Sequence, residues 1–389
     1  MLKKSLLYAA LSLLCASSTS ICAVDYTSFN SKSVGNNLAE LTASGTITPG
    51  LANVYSIILG LNNTDANTAL NDLHGAQYSS IATEVQADVG GQIASIFHRK
   101  PYLACCCSDQ WRLWTEPFGN WLKEKNFGEE IGFKSTTEGI AVGIDVNVWR
   151  NLTFGAGFAW DKTMLTWHEF RGHGQTQGYY GAAYFDYEND QLYFGGSCIA
   201  GQNSYDTTRK IEFSTIDEHA LASFHALDVM TQLSFAYFFG TPSALIYPYA
   251  NADYLYLHTD AIHERNATNL NLTVHPNTGQ TLRTEAGLAF QVQDTNYHRT
   301  ICVSPTVALG WVMECPIGRQ KYRTTFEGES IPFEIKGWNH AWQLFSLDFG
   351  LSVAYKEFLT SIRYNAETSA QRHSRYFGQR CNIHLEYRW

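Results

Sequence analysis

Apolar and polar residues alternate along most of the chain after residue 110. In GIAVGIDVNVW (139–149), Ile140, Val142 and Ile144 begin a series of apolar side chains at every second position, with small or polar residues between them. The stretches NLTFGAGFAWD (151–161) and QGYYGAAYFDY (177–187) follow the same rule. A period of two is typical of strands that bury one face, so this part of the chain is predicted to be all-β.

Twelve predicted strands account for this pattern. Each is about ten residues or longer, which exceeds the five or six residues usual in soluble proteins and suits a tilted strand that crosses a membrane. A soluble β-sandwich would not explain such uniformly long strands. The predicted strands are 111–122, 138–148, 152–166, 175–187, 191–203, 224–239, 245–258, 280–293, 299–313, 341–354, 357–367 and 378–389.

The connections between these strands alternate in length. Long ones carry most of the charge and lie near 123–137, 167–174, 204–223, 259–279, 314–340 and 368–377. Short ones lie near 149–151, 188–190, 240–243, 294–296 and 355–356. Bacterial outer-membrane barrels have an even number of strands, short periplasmic turns and longer outer loops. The sequence therefore predicts a twelve-stranded antiparallel transmembrane β-barrel.

The last strand runs to the final residue. Its apolar positions alternate with polar ones and are Ile383, Leu385, Tyr387 and Trp389. Closing a barrel removes every sheet edge, so a terminal strand can pair with the first strand along its whole length. An indole suits the membrane interface because it is apolar and donates a hydrogen bond.

The segment before the barrel has helical spacing. A first run places apolar residues at Leu51, Val54, Tyr55, Ile58 and Leu61, and the breaker 62–65 ends it. A second run, the predicted pore helix, places apolar residues at steps of four: Ile81, Val85, Val89, Ile93 and Phe97. About twenty helical residues reach ~30 Å, enough to thread a barrel. We expect this helix to lie in the lumen.

The composition of the chain narrows the class of protein further. Residues 1–23 have Lys3, Lys4 and an apolar stretch before small residues, as a secretory signal peptide does. Removing Lys3 and Lys4 changes the formal charge from −9 to −11, and such an acidic chain argues against nucleic acid. We divide the chain into a signal peptide at 1–23, a helical linker or plug with a minimal passenger at 24–108, and the barrel at 109–389.

Candidate chemistry is sparse. In WHEFRGHG, His168 and His173 are one residue too far apart for the zinc motif HExxH, and the chain has no CxxC pair, so we expect no metal, no cofactor and no catalytic residue. A Ser-His phospholipase or an Asp-His protease inside the barrel stays an alternative, as does self-cleavage at Asn62-Asn63. We expect lumen-facing charges to pair with one another and with the plug: Asp145, Arg283, Glu285, Glu386 and Arg388.

Three consecutive cysteines, Cys105, Cys106 and Cys107, precede the first strand. Adjacent cysteines rarely bond to each other because a disulfide needs suitably spaced Cα atoms. One hypothesis is that they form disulfide cross-links to other envelope proteins. The alternative is a reduced or locally bonded trio near the periplasmic mouth.

Several stretches in order resemble the translocator unit of a bacterial autotransporter over roughly residues 69–389. These stretches are ALNDLHGAQYSS (69–80), RLWTEPFGNW (112–121), TEGIAVGIDV (137–146), LTFGAGFAW (152–160), RTEAGLAF (283–290) and PTVALGWVMEC (305–315). The cysteines and the terminal strand are also similar to chlamydial polymorphic outer-membrane proteins. Their passenger repeats GGA[ILV] and FxxN do not occur here, and Gly90-Gly91-Gln92-Ile93 is only close to one.

The resemblance implies a barrel in the bacterial outer membrane with loops at the cell surface, acting as a translocator or a surface structural protein. It implies that the terminal residues 383, 385, 387 and 389 are an assembly signal read by the barrel assembly machinery, and that outer-membrane lipid surrounds the wall. A porin-like channel for small solutes is the alternative if the helix leaves the lumen.

Overall fold

The computed structural model describes residues 26–97, 111–128, 130–149, 151–241, 243–292, 301–318, 320–337, 341–370 and 376–389. The predicted signal peptide and the cluster Cys105–Cys107 lie outside these residues. None of the described helices is long and apolar enough to span a membrane.

Twelve antiparallel strands form one closed barrel, as the alternation predicts. Each strand pairs with its sequence neighbours in the barrel, and the first strand pairs with the last, so that Arg112 lies opposite Arg388. Backbone hydrogen bonds join Trp111 to Trp389 in both directions. The barrel strands are β1 (Trp111–Glu124), β2 (Phe133–Trp149), β3 (Leu152–Trp167), β4 (Gly172–Glu188), β5 (Leu192–Phe213), β6 (Ile216–Tyr237), β8 (Ala244–Thr259), β11 (Asn277–Val292), β12 (Ile301–Pro316), β15 (Trp342–Tyr355), β16 (Phe358–Ser369) and β17 (Tyr376–Arg388). A short strand, β7 (Phe239–Thr241), extends the turn before β8.

The outer wall of the barrel is apolar. Alternate positions on most strands are exposed apolar or aromatic side chains, among them Leu113, Phe158, Leu233, Leu309 and Ile362. Residues between them face the lumen and are mostly polar. A membrane barrel shows this pattern because lipid contacts one side of each strand and the interior the other.

One predicted loop is strand instead. Residues 204–223 continue β5 and β6 as a hairpin that turns at Ser214 and Thr215, with Phe213 opposite Ile216. Pairing of β6 with β8 begins only at Ala226, so the hairpin rises beyond the wall on the side of the long loops, here called the long-loop end. Ile211 and Phe213 on its inner face are buried, and this burial stabilises the extension.

Two other long loops fold together into a separate sheet at the long-loop end. Its strands are β9 (Ile262–His263), β10 (Leu272–Val274), β13 (Lys321–Phe326) and β14 (Phe333–Lys336). Their order in the sheet is β14-β13-β10-β9. The sheet buries Leu272, Phe326 and Ile335, which gives these loops a fixed shape.

Three helices lie at the same end and are here called the cap (26–73): α1 (Phe29–Ser44), α2 (Pro49–Leu59) and α3 (Asn63–Leu73). Their local signals are clear. Ser28 and Asn62 accept hydrogen bonds from the first turns of α1 and α3, and Pro49 begins α2. Gly45 ends α1 with a φ of 71°, a conformation that glycine adopts at low cost.

The cap is packed onto the sheet and the barrel. Leu38, Leu51 and Leu73 are fully buried and belong to the same apolar core as residues of the barrel lumen. Burying a leucine stabilises a fold by about 1.5–3 kcal/mol, so these contacts hold the cap in one position.

Helix α1 covers the free edge of β14 with polar side chains. Asn30 accepts from the Lys336 amide at 2.8 Å and donates to its carbonyl at 3.2 Å. The Glu334 amide donates to Ser33 at 3.2 Å. An exposed strand edge pairs readily with other chains, and here the side chains of α1 take the place of a neighbouring strand.

Candidate functional site

A helical segment at residues 76–97 occupies the lumen and is here called the lumen helix. It consists of four consecutive pieces: Ala76–Ser80 (3-10), Ile81–Val85 (α), Gln86–Ile93 (π) and Ala94–Phe97 (α). All five predicted pore-helix residues are buried, with exposed fractions of 2% or less. The lumen helix therefore lies inside the barrel, as predicted from its spacing.

Small residues let the lumen helix approach the wall. A Cβ at Gly91 would overlap the guanidinium of Arg380, and a Cβ at Gly157 of β3 would overlap Phe97. Phe97 also packs edge-on against Trp114, with ring centroids 5.8 Å apart. The helix and the wall therefore fit each other closely at both positions.

A buried charge network lines the wall beside Gly91. Arg283 forms ion pairs with Glu314 and Glu367, and Arg380 binds Glu367 through two hydrogen bonds of 2.8 and 2.9 Å. Buried charges of this kind cost desolvation energy unless they are paired and hydrogen-bonded. The pairing keeps both guanidiniums fixed against the lumen helix.

The predicted pairing among lumen charges is partly correct. Arg388 donates to Glu386 at 2.6 Å. Asp145 pairs with Arg112 at 3.5 Å and accepts a hydrogen bond from the Trp114 indole at 3.2 Å, whereas Glu285 accepts one from the Tyr249 hydroxyl at 2.9 Å. Period-two alternation predicts that these side chains face inward, but it does not select their partners.

The seam between β1 and β17 holds a histidine between two carboxylates. His384 Nδ1 lies 2.7 Å from Glu116, and Nε2 lies 3.2 Å from Glu386. Because both ring nitrogens face carboxylates, this histidine is not arranged as the base of a serine hydrolase.

Four carboxylates meet on the other side of the lumen. Glu84 and Asp88 of the lumen helix face Asp161 of β3 and Asp228 of β6, and all four are buried. Asn203 donates to Asp228 at 2.7 Å. No group of three or more His, Cys, Asp or Glu residues within the described ranges has the geometry of a metal site.

At the long-loop end, Arg209 of β5 and Glu264 join the cap to the barrel; we call them the clasp pair. Arg209 donates to Glu264 at 2.7 and 2.5 Å and to the Asp72 carbonyl at 2.8 Å. Tyr78 donates to Glu264 at 2.6 Å. Arg171 donates to the Asn71 carbonyl at 2.6 Å. Two guanidiniums thus satisfy carbonyls at the C-terminus of α3, where the helix dipole favours positive charge.

Burial changes the protonation of two groups beside the clasp pair. It raises the pKa of Asp72 to about 6, although Arg171 and Arg209 oppose the change. It also lowers the pKa of His74 well below its usual range, and both arginines add to that effect. Neutral His74 accepts from the Ala76 amide at 3.0 Å, just before the lumen helix begins.

Sequence reasoning missed the clasp pair because both residues fall in segments that were predicted to be loops. One signal in the sequence could have placed Arg209. Arg209 lies on the same face of the alternation as Ile211 and Phe213, so an inward position could be expected. The partner Glu264 follows the two-residue strand β9, and no local pattern places it.

Other predicted residues have these positions. Ile383, Leu385, Tyr387 and Trp389 are exposed on the outer wall, with exposed fractions of 40–50%. His168 begins a short turn, and Asn126 donates a hydrogen bond to Glu169 at 2.7 Å. His173 is exposed at the start of β4. Asn62 caps α3 and Asn63 is its first residue, so both belong to the cap and not to the lumen helix.

A closed barrel with an apolar outer wall and an internal helix defines an integral outer-membrane protein. The model of the autotransporter β-domain family matches residues 113–365, so the chain belongs to this family. It is an autotransporter translocator β-domain of the bacterial outer membrane. Barrels of this family are generally assembled there by the barrel assembly machinery, and such domains are generally not catalytic.

Solved structures show the same fold at low identity. The translocator domain of NalP from Neisseria meningitidis is 16% identical, with a TM-score of 0.59, and covers 79% of this chain and 98% of its own. The β-domain of BrkA from Bordetella is also 16% identical, with a TM-score of 0.54, and covers 72% and 100%. The AIDA-I transport unit from Escherichia coli is 12% identical, with a TM-score of 0.50, and covers 80% and 98%. A comparison with curated protein sequences finds no match.

Proposed function

We propose that the long-loop end faces the cell exterior and that the cap is the segment this barrel carries across the membrane. In this proposal the cap stays docked after transport, as a surface structural element. The position of the lumen helix carries the proposal: it leads from Phe97, beside Trp114 and Gly157 of the barrel wall, to the cap at the long-loop end.

Contacts on both sides of Gly75 support a docked cap. Before Gly75, α3 is held by Arg171 and Arg209. After it, Trp167 donates to Ser80 of the lumen helix at 2.8 Å. Gly75 itself has a φ of 66°, which lets the chain turn sharply between the cap and the lumen helix.

A closed lumen follows from the same arrangement, and we propose no catalysis. The porin-like alternative is favoured by one observation, a polar cavity of about 60 Å³ beside Gly90 and Gly91. Its wall includes Arg283, Arg363 and Asp253. A cavity of this size holds a few water molecules, so we treat it as a gap beside a plug.

We also propose that the exposed terminal strand is the surface that the assembly machinery reads. Its four apolar residues all point outward beside β1, where the barrel closes. The proposal that Cys105–Cys107 cross-link to envelope proteins stands on the sequence alone.

An epitope inserted after Gly45 tests the proposed orientation. Gly45 ends α1 in an exposed turn, so an insertion there leaves the buried faces of the cap unchanged. Antibody should bind this tag on intact cells. A matched tag after Asp190, in the exposed turn between β4 and β5, should bind antibody only after the outer membrane is permeabilised. The opposite result for the two tags would refute the proposal.

A further inference from the structure

Three lysines cluster on the outer wall at the long-loop end of β1 and β2. Lys123 lies directly opposite Lys134 in the pairing of the two strands. Both are exposed, and so is Lys125 at the next outward position of the chain. Side chains directly opposite in an antiparallel pair have Cβ atoms about 4.5–5.5 Å apart, and like charges there destabilise the sheet. We call these residues the lysine patch.

The lysine patch has no acidic partner among the described residues. Other lysines at this end do have one: Lys210 pairs with Glu212, and Lys321 pairs with Glu334 at 2.6 Å. The charge of the patch is therefore not explained by ion pairs within the described chain.

The surroundings of the patch place it at a membrane boundary. Trp121, one outward position nearer the barrel centre on β1, is 47% exposed, as interfacial tryptophans are. Nearer still, Glu138 on β2 lies opposite Lys162 on β3. Counting this pair with the patch leaves four lysines and one glutamate, an excess of three positive charges.

The excess is not repeated on three of the described strands elsewhere in the wall. At the same end of β11, β12 and β15, the outward positions are the uncharged Gln280, Cys315 and Gln343. A general need for solubility at the rim would not produce this asymmetry. A local anionic partner would.

We propose that the lysine patch binds the phosphate-bearing headgroup of a lipid in the outer leaflet. A phosphate between Lys123 and Lys134 would turn a repulsive pair into two attractive contacts. The acyl chains would lie along the apolar wall nearer the barrel centre than Glu138 and Lys162, where Ile140 lies opposite Trp160. This inference rests on the proposed orientation, and it adds a ligand that neither the plug nor the cap requires.

Lipid binding by the full mature protein tests the inference. The protein is refolded in phosphatidylcholine bicelles, the bisphosphorylated glycolipid lipid A is titrated in, and bound lipid is counted by native mass spectrometry. A lysine near a membrane surface contributes roughly fivefold in affinity, so Lys123→Gln with Lys125→Gln and Lys134→Gln should weaken binding by about a hundredfold. The triple arginine variant should bind as the unmodified protein does.

The control is Lys210→Gln with Lys321→Gln, which removes two lysines at the same end and should leave lipid binding unchanged. Heat-dependent gel mobility verifies that each variant is folded. Equal binding by the triple glutamine variant, or an equal loss in the control, would overturn the inference. So would competition by inorganic phosphate at the same concentration, because the site would then recognise the free anion. Lipid reaches both ends of the barrel in bicelles, so this result is independent of the epitope experiment.

Discussion

Arg209 and Glu264 form a bidentate ion pair between the barrel wall and a loop, with side chains that are 1% and 0% exposed. The pair also binds the Asp72 carbonyl near the C-terminus of α3 and the hydroxyl of Tyr78. It therefore connects the wall, the cap and the start of the lumen helix at one point.

Removing half of the clasp pair should loosen the cap. Arg209→Met leaves Glu264 buried without its partner, which costs about 3–5 kcal/mol in comparable sites. We expect hydrogen exchange in residues 63–80 to accelerate strongly while barrel strands stay protected. Lys210→Gln, at the exposed neighbouring position, is the control and should show no change. Unaltered exchange in Arg209→Met would mean that the apolar contacts alone hold the cap.

Docking of the cap should depend on pH through Asp72. Its pKa rises from 3.8 to about 6 on folding, so the folded state binds the proton more tightly. The contribution of Asp72 to docking is therefore greatest below about pH 4 and is lost as pH rises to about 6, by at most about 3 kcal/mol. Asp72→Asn should remove this slope, as measured by protease resistance of the cap between pH 4 and 7.

His74 changes the stability of the docked cap with pH in the opposite direction. Its lowered pKa makes the docked cap lose stability as pH falls below about 6.5, because the unfolded segment binds the proton more readily. The difference between Asp72→Asn and the unmodified protein isolates Asp72, since His74 is present in both. An identical pH profile for the two proteins would contradict the assignment.

Deleting residues 26–97 should open the barrel. The deletion removes both the cap and the lumen helix, and single-channel conductance in planar bilayers should rise severalfold. Deleting residues 26–59 alone keeps α3 and the lumen helix, so we expect that variant to stay closed. If deleting residues 26–59 raises the conductance as much as deleting residues 26–97, the cap rather than the lumen helix is the barrier.

A larger side chain at position 91 should displace the lumen helix. Gly91→Leu places atoms where the Arg380 guanidinium lies, and Arg380 is held by Glu367. We expect frequent channel openings and lower thermal stability. Gly181→Val is the matched control, because a Cβ at Gly181 meets no atom within 4 Å. Silent Gly91→Leu channels would show that Arg380 moves aside.

Changing the final indole should slow assembly. Trp389→Ser removes an exposed aromatic side chain at the seam without altering lumen contacts. We expect slower appearance of the heat-resistant folded form in cells, measured by pulse labelling. Trp149→Ser, another outward indole at the short-turn end with 69% exposure, is the control. Equal delay in both variants would indicate a general aromatic effect rather than a terminal signal.

The sequence by itself determined the barrel and the presence of a helix inside it. Strand number, the outward side of each strand and the burial of Ile81 through Phe97 follow from spacing of two or four residues. Such spacing is a local property. Successive side chains point to opposite faces of a strand, and side chains four residues apart share one face of a helix, independently of the tertiary contacts of the chain.

Only the tertiary structure decided which distant residues meet. The clasp pair is 55 residues apart, and α1 meets β14 across 306 residues. Lys123 and Lys134 are close in sequence, but their opposition depends on strand register. Cap docking was not predicted either, because two loops had to fold into a sheet before α1 had an edge to cover. These contacts depend on geometry that no local period encodes.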